Sequence, residues 1–299
     1  MSLTIAEDSV TYAPRFEAFA REISDRQPAE IKNDPVARSA SLRQTADLIE
    51  PDWLVVYGVR QILAALPDRE GRSLDEYAFG ELSGDALDDL SELVQILSDV
   101  RSEPVVCVMP DPITMVAEVF GEEWTVLLSD RSFEYLDTLH LASQFLTDVI
   151  REFEGSVSGL ITEGTHLPEA LDEGIGLDDY SLEFGPLFNL ADHYDLMVIA
   201  TMPSDLRSHY DELADAFDIV VFESVEQSVM SDLPAGPDVI GCSFTESIWA
   251  AEGTSQFSQQ MEDYFESLPS SVCLLTQEIP ASVRPEHVRE FGDLLDASF

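Results

Sequence analysis

Seven short runs of apolar residues recur along the chain and constrain its fold more than any other feature. The runs are rich in Val, Ile and Leu, and they are continuously apolar rather than alternating. This pattern is typical of strands that are buried on both faces of a parallel sheet. The runs are Asp52–Gly58, Pro104–Met109, Gly155–Thr162, Asp195–Thr201, Phe217–Phe222, Pro237–Cys242 and Ser271–Thr276.

The segments between these runs have the periodicity of amphipathic helices. Apolar or small residues recur at helical spacing in 133–153, in 83–101 and after Pro285. Strands that alternate with helices predict right-handed βαβ crossovers and a parallel α/β sheet. Seven strands and a weaker eighth predict a closed (βα)8 TIM barrel. We expect the eighth strand at Ala29–Ile31 or at Trp124–Leu128.

The chain is predicted to form one barrel domain. Residues 1–44 are expected to be an N-terminal extension with a helical segment, and residues 45–299 the barrel, because no linker rich in Pro, Gly or Ser divides the chain. The alternative is an open, doubly wound sheet. Its dinucleotide-binding form would require a Gly-x-Gly-x-x-Gly turn after a strand, and the sequence contains none.

The charge of the chain limits its surroundings and partners. It carries 59 acidic and 15 basic residues, a formal net charge of −44. Such like charge opposes the compact state at moderate salt, whereas molar salt shortens the screening length to about 3 Å. We therefore predict an acidic, halophilic, cytoplasmic protein. Nucleic acid and anionic membrane surfaces are not expected as partners, because both need clustered basic residues. No apolar run approaches the roughly 18 residues of a membrane span.

Polar residues at the carboxyl ends of the predicted strands form the candidate site, because barrel enzymes carry their chemistry on the loops that follow the strands. Tyr57, Arg60, Thr114 and Glu246 are the candidate substrate-binding residues. Basic residues are scarce, and Arg60 directly follows a strand, where a guanidinium can bind a carboxylate through two parallel hydrogen bonds. The alternative for Arg60 is an ion pair within the protein.

Glu163, His166 and Gln277 are the candidate catalytic residues. His166 follows a strand in a loop that contains glycine, and imidazole suits acid–base chemistry near neutral pH. The alternative is an ordinary loop histidine. Glu163, Glu223 and Glu246 end three strands and could converge on a hard cation. In a chain with 59 acidic residues, chance places glutamates there equally well. We therefore assign no metal, and we leave the cofactor unknown.

Four segments resemble the uroporphyrinogen decarboxylase-like superfamily, which includes corrinoid-dependent methyltransferases and is related to cobalamin-independent methionine synthase. Ser271–Val288 resembles the family's last strand, the turn after it and the start of the final helix. Pro104–Ala117 is similar to its Pro-Phe-Thr-Leu segment, and Asp52–Val59 lies where the family has its Phe-Ser-Asp strand. Phe145–Ile150 fits the long helix between them. The resemblance covers roughly residues 45–296, implies a barrel, and identifies the chain as a divergent, haloarchaeal-type member.

The resemblance also shows what this sequence lacks. The decarboxylase's catalytic aspartate would fall at Gly58 or Val59, the family tyrosine near Glu118 and the turn histidine at Gln277. In the methyltransferase branch, the zinc-binding His-x-Cys would align with Ala200–Met202, where alanine and methionine supply neither imidazole nor thiolate. Both known chemistries therefore lose their usual residues.

Two functional hypotheses follow from these observations. In the first, the protein is an enzyme that binds a small-molecule ligand at the barrel mouth, with lyase-like or methyltransferase-like chemistry by analogy alone. In the second, it is a non-catalytic binding or accessory protein that kept the barrel and lost the site. A deep pocket near Arg60 would favour the enzyme. A homodimer is compatible with the resemblance.

Overall fold

Eight parallel strands form the centre of the protein. The computed structural model describes residues 3, 10–24, 31, 34–66, 85–121, 124–125, 133–153, 155–223, 240–244, 249, 254–266, 268, 272–276 and 278–298. The strands are β1 (Val10–Ala13), β2 (Leu54–Tyr57), β3 (Val105–Pro110), β4 (Gly159–Glu163), β5 (Met197–Pro203), β6 (Ile219–Glu223), β7 (Ile240–Phe244) and β8 (Val272–Thr276). All seven apolar runs contain a strand, as their composition predicts.

The sheet curves into a barrel. Each strand from β2 to β8 pairs in parallel with the next, and β8 pairs with β1. The first and last strands of this order, β1 and β2, meet beside Tyr12. The backbone N–H of Asp52 donates to the Tyr12 carbonyl at 2.9 Å, and the Tyr12 N–H donates to the Asp52 carboxylate at 2.7 Å. The prediction of a (βα)8 barrel is confirmed.

The eighth strand is not where the sequence suggested. It is β1, which pairs residue by residue with β8. The described parts of the two candidate segments are helical instead, at Ile31 and at Trp124–Thr125. The sheet therefore includes residues that precede the expected barrel boundary at residue 45. The run Val-Thr-Tyr-Ala is only four residues long and contains the polar Thr11, so it is not one of the continuous apolar runs by which the other strands are recognised.

Helices surround the barrel. The longer ones are α2 (Pro35–Ile49), α4 (Asp85–Val100), α5 (Pro112–Phe120), α6 (Phe133–Glu152), α9 (Gly185–Tyr194), α11 (Thr254–Phe265) and α12 (Pro285–Ser298). The shorter ones are α1 (Glu17–Ile23), α3 (Val59–Ala64), α7 (Leu167–Asp172), α8 (Leu177–Glu183) and α10 (Tyr210–Ala214), with a 3-10 helix at Ser204–His209. Within the described ranges, no helix is both long and apolar enough to cross a membrane.

Two helices near the mouth begin with the same dipeptide, Asp-Pro. The Asp34 carboxylate accepts hydrogen bonds from the backbone N–H groups of Val36 and Ala37, at 2.9 and 3.1 Å, and so caps α2. Asp111 caps α5 by accepting from the N–H of Thr114 at 2.5 Å. Proline follows each aspartate at the first helical position, where it needs no N–H partner. Asp111 is thereby fixed directly after β3.

Apolar side chains fill two layers. One cluster lies inside the barrel and draws on one face of the strands, with Val55, Ile161 and Val221 among its members. The larger cluster lies between the strands and the helices. Cys107 and Cys273 are buried in these layers, and burial raises the pKa of the Cys107 thiol to about 12. Cys107 therefore packs as a small apolar residue rather than reacting as a thiolate.

Gly58 lies where β2 gives way to α3, and we expect its replacement by alanine to destabilise the protein by about 1 to 3 kcal/mol. An added Cβ would lie 2.9 Å from Leu90 Cδ2 and 3.1 Å from both Cys107 Sγ and the Val108 carbonyl oxygen. Denaturant unfolding at high KCl concentration measures the change. Gly185→Ala is the matched control, because no described atom lies within 4 Å of its added Cβ. Equal stability of the two variants would contradict this packing.

Candidate functional site

Three polar side chains form the uppermost layer of the barrel interior. Tyr57, Glu163 and Glu223 are the last residues of the alternate strands β2, β4 and β6, and each is only partly buried. The residues two positions earlier on these strands belong to the interior apolar cluster. Since side chains alternate along a strand, the three end residues face the same interior at its carboxyl end. This is the position at which barrel proteins carry their sites.

Arg15 joins this layer from the segment after β1. Its guanidinium donates to one carboxylate oxygen of Glu163, and the Tyr57 hydroxyl donates to the other oxygen at 3.1 Å. The guanidinium also lies over the Tyr57 ring, 5.8 Å from the ring centroid. The Arg15 and Glu163 side chains are 12% and 13% exposed, so this ion pair is largely shielded from water. Burial, followed by the charge of Glu163, raises the pKa of Tyr57.

Two further carboxylates near Arg15 have raised pKa values. Burial raises the pKa of Glu223, Arg15 opposes this shift, and the charge of Glu163 adds to it. Burial also raises the pKa of Glu278, which follows β8, and the hydrogen bond from the Ala18 N–H opposes that shift. A carboxylate with a raised pKa is a better proton acceptor than an ordinary one.

Asp111 stabilises this layer of polar side chains indirectly, through hydrogen bonds. It is fully buried, and its carboxylate accepts hydrogen bonds from the Thr114 N–H at 2.5 Å and from the Tyr180 hydroxyl at 3.1 Å. The Thr114 hydroxyl donates to the backbone carbonyl of Glu163 at 3.1 Å. Burial raises the pKa of Asp111 to about 6, against the opposing effect of these hydrogen bonds and of His166. Asp111 thus holds Thr114, which in turn fixes the backbone of Glu163.

A cavity of about 620 Å³ adjoins the layer and is bounded by α1, α2, α3 and α4. Its inner lining includes Arg15 and Tyr57. Four of the chain's 15 basic residues line this one cavity. They are Arg15, Arg21, Arg38 and Arg60. Four carboxylates line it as well, and these are Glu17, Asp34, Asp89 and Glu278. The balance of charge here therefore differs from that of the chain as a whole.

The four arginines have different surroundings. Arg15 pairs with Glu163, and Arg38 pairs with Glu17 and also donates to the Tyr57 carbonyl at 3.2 Å. Glu17 accepts a further hydrogen bond from the Tyr57 N–H at 3.2 Å. Neither Arg21 nor Arg60 forms an ion pair with any residue that the structure describes. Arg21 donates through Nε to the Glu17 carbonyl at 3.3 Å, and Arg60 is exposed.

The structure gathers some of the predicted site residues and separates others. Tyr57, Thr114 and Glu163 are linked by hydrogen bonds, and Arg60 lines the neighbouring cavity. His166 instead lies 2.9 Å from the carboxylate of Glu169, one turn along its own short helix, and packs edge-on against Trp124. Glu246 and Gln277 lie outside the described residues.

Arg15, Arg21 and Arg38 were not among the site residues predicted from the sequence. All three belong to residues 1–44, for which the sequence predicts an N-terminal extension. The charge pattern held a signal that could have found them, because six of the 15 basic side chains fall in the 29 residues from Arg15 to Arg43. Within the described ranges, no three histidine, cysteine, aspartate or glutamate side chains are grouped so as to hold a metal ion.

Comparisons with known proteins support the fold. No family model matches the chain, and no curated protein matches it. Among solved structures, a methyltransferase from Methanosarcina mazei has a TM-score of 0.73 at 11% identity, over 98% of this chain and 95% of that one. A putative vitamin-B12-independent methionine synthase from Listeria monocytogenes has a TM-score of 0.60 at 13% identity, over 100% and 99%. A glycoside hydrolase family 5 enzyme from Prevotella bryantii has a TM-score of 0.59 at 9% identity, over 98% and 100%.

These neighbours define the class of fold and not the reaction. The first two share the barrel fold that the sequence predicts for this chain. The third carries a different chemistry on a similar barrel. Because one fold hosts many reactions, function has to be argued from the residues of the site.

Proposed function

We propose that this protein binds a small organic molecule with at least one carboxylate in the cavity between α1, α2, α3 and α4. The observation that carries the proposal is the gathering of four arginines in this cavity, in a chain of net charge −44. The surrounding charge repels anions, so anion binding requires a local group of cations. Guanidinium groups bind carboxylates with two parallel hydrogen bonds.

Arg21 and Arg60 are the proposed carboxylate-binding groups. Arg15 and Arg38 are already paired with Glu163 and Glu17, so we do not assign the ligand's carboxylate to them. Arg21 belongs to α1 and Arg60 to α3, so the two come from different walls of the cavity. A volume of about 620 Å³ lies in the range of sites that hold small organic ligands.

Binding is common to both functional hypotheses. An enzyme, methyltransferase-like by analogy of fold alone, would use the cavity for its substrate. A non-catalytic barrel would use the same cavity to hold its ligand. The carboxylate-binding arginines are therefore tested before any reaction is assumed.

Calorimetric titration in molar KCl with a panel of carboxylates tests the proposal. The panel contains pyruvate, 2-oxoglutarate, succinate and citrate, with succinamide as the uncharged analogue. We expect at least one carboxylate to bind, and Arg60→Gln to weaken it about tenfold or more, because a hydrogen bond to a charged group contributes roughly 1.5 to 3 kcal/mol.

Arg151→Gln is the control for this titration. Arg151 is exposed and lies on α6, where among the described residues it pairs only with Asp148, one turn away. Its removal therefore changes the net charge equally without touching the cavity. Unchanged affinity in Arg151→Gln would locate the effect in the cavity. Equal affinities of the wild type and Arg60→Gln, or equal binding of succinamide and succinate, would contradict the proposal.

A further inference from the structure

Glu278 differs from the other three carboxylates that line the cavity with the four arginines, of which Asp89 is exposed to solvent. Glu17 is held by Arg38 and the Tyr57 N–H, and Asp34 caps α2. Glu278 accepts one hydrogen bond, through Oε1, from the backbone N–H of Ala18. Among the described residues, no donor reaches its other oxygen, Oε2, and no arginine forms an ion pair with it. One oxygen of the carboxylate is thus held by a hydrogen bond, and the other has no donor among the described residues.

The charges around Glu278 suit a proton acceptor. Arg21 on α1 and Arg15 after β1 act on it electrostatically, and Glu17 on α1 acts in the opposite sense. Burial outweighs the two arginines, so the pKa of Glu278 is raised. The carboxylate therefore has more basicity than an exposed glutamate, while the neighbouring guanidinium groups remain available to stabilise negative charge on a ligand.

We propose that Glu278 removes a proton from the carbon next to the carbonyl group of a 2-oxo acid bound in this cavity. The inference rests on the proposed function, since Arg21 and Arg60 would hold the carboxylate of that acid. A 2-oxo acid is the class that fits, because it joins a carboxylate to a carbonyl group that acidifies the adjacent C–H bond. The cavity supplies arginines that can bind the carboxylate of the acid, and a basic carboxylate that can accept the proton of the C–H bond.

The proposed step needs no co-reactant. The C–H bond next to the carbonyl breaks, and its proton forms an O–H bond with Oε2 of Glu278. The electron pair of the broken bond forms a carbon–carbon double bond, and the carbonyl oxygen takes up the negative charge as an enolate. Arg15, which also lines the cavity, lies where it can stabilise that charge. Return of the proton restores the 2-oxo acid, so the net activity is exchange of hydrogen with solvent.

Proton NMR in D2O tests this inference. Pyruvate, 2-oxobutyrate and 2-oxoglutarate are incubated with the full chain in molar KCl, and loss of the C3 proton signal is followed. We expect exchange well above the buffer rate for at least one of the acids. Glu278→Gln is expected to slow it by about 100-fold or more, as is typical when a general base is removed. The amide oxygen of this variant can still accept from Ala18, so the local fold is retained.

Controls separate this inference from the binding proposal. Glu262→Gln removes an exposed carboxylate on α11 and should exchange hydrogen at the wild-type rate. Calorimetry on each acid shows whether it binds. A bound acid that exchanges no faster than in buffer, or at equal rates in the wild type and Glu278→Gln, would overturn the role of Glu278 and leave the binding proposal standing. Failure of all three 2-oxo acids to bind and to exchange would overturn this inference, and failure of succinate and citrate to bind as well would overturn both.

Discussion

Thermal unfolding in about 3 M KCl is expected at least 10 °C above that in about 0.1 M KCl. The chain carries 59 acidic residues against 15 basic ones, so the folded state gathers like charges that the unfolded chain spreads apart. Molar salt shortens the screening length to about 3 Å and removes most of this repulsion. In chains of about 150 to 250 residues, each kcal/mol of unfolding free energy shifts the midpoint by roughly 2 to 4 °C. A shift of about 10 °C therefore corresponds to a rise of about 3 kcal/mol or more in the free energy of unfolding.

Acidification at low salt provides the control for this prediction. Protonation of carboxylates also reduces the repulsion, so the midpoint in about 0.1 M KCl should rise as the pH falls from about 7.5 towards 5. Sucrose, which stabilises through exclusion from the surface rather than screening, should not reproduce the full effect of KCl. A midpoint that is the same in low and high KCl would show that the acidic surface does not control stability.

Replacing Asp111 with asparagine is expected to change the pH dependence of stability. Burial raises the pKa of Asp111 to about 6, whereas an aspartate in the unfolded chain has a pKa of about 3.9. The folded state therefore binds the proton more tightly. The stabilisation from this proton is fully present below about pH 4 and is lost as the pH rises through 6. A difference of roughly two pKa units corresponds to about 3 kcal/mol.

Asparagine keeps the oxygen that accepts from the Thr114 N–H, and its side-chain NH2 group can donate to the Tyr180 hydroxyl. The substitution therefore keeps both contacts and removes only the buried negative charge. We expect the free energy of unfolding of Asp111→Asn, relative to the wild type, to rise by up to about 3 kcal/mol between pH 4 and pH 7. Denaturant unfolding in molar KCl at several pH values measures this difference. Asp172→Asn, at an exposed position, is the control. Parallel curves for Asp111→Asn and the wild type would contradict the prediction.

Much of the fold can be predicted from the sequence because strands buried on both faces of a parallel sheet are continuously apolar. Each of the seven apolar runs contains a strand, and 133–153, 83–101 and the region after Pro285 contain long helices. β1 could not be recognised in this way. Its four residues are Val-Thr-Tyr-Ala, and it is held by pairing with β8 and by the hydrogen bonds between Tyr12 and Asp52, which are long-range contacts.

The candidate site could be predicted only in part, and for the same reason. Tyr57 and Glu163 end strands that the sequence reveals, so their place at the mouth follows from the fold. Arg15 follows the strand that was missed, and its partner lies 148 residues further along the chain. The bond between Asp111 and Tyr180 spans 69 residues and joins a helix cap to a separate helix, which no local pattern records.

A crystal structure with the tightest-binding carboxylate of the panel would test the central claim most directly. We predict that the ligand lies in the cavity between α1, α2, α3 and α4, with a carboxylate oxygen about 2.7 to 3.2 Å from the guanidinium of Arg21 or Arg60. Density for the ligand at another surface, with the arginines of this cavity making no contact to it, would contradict the account.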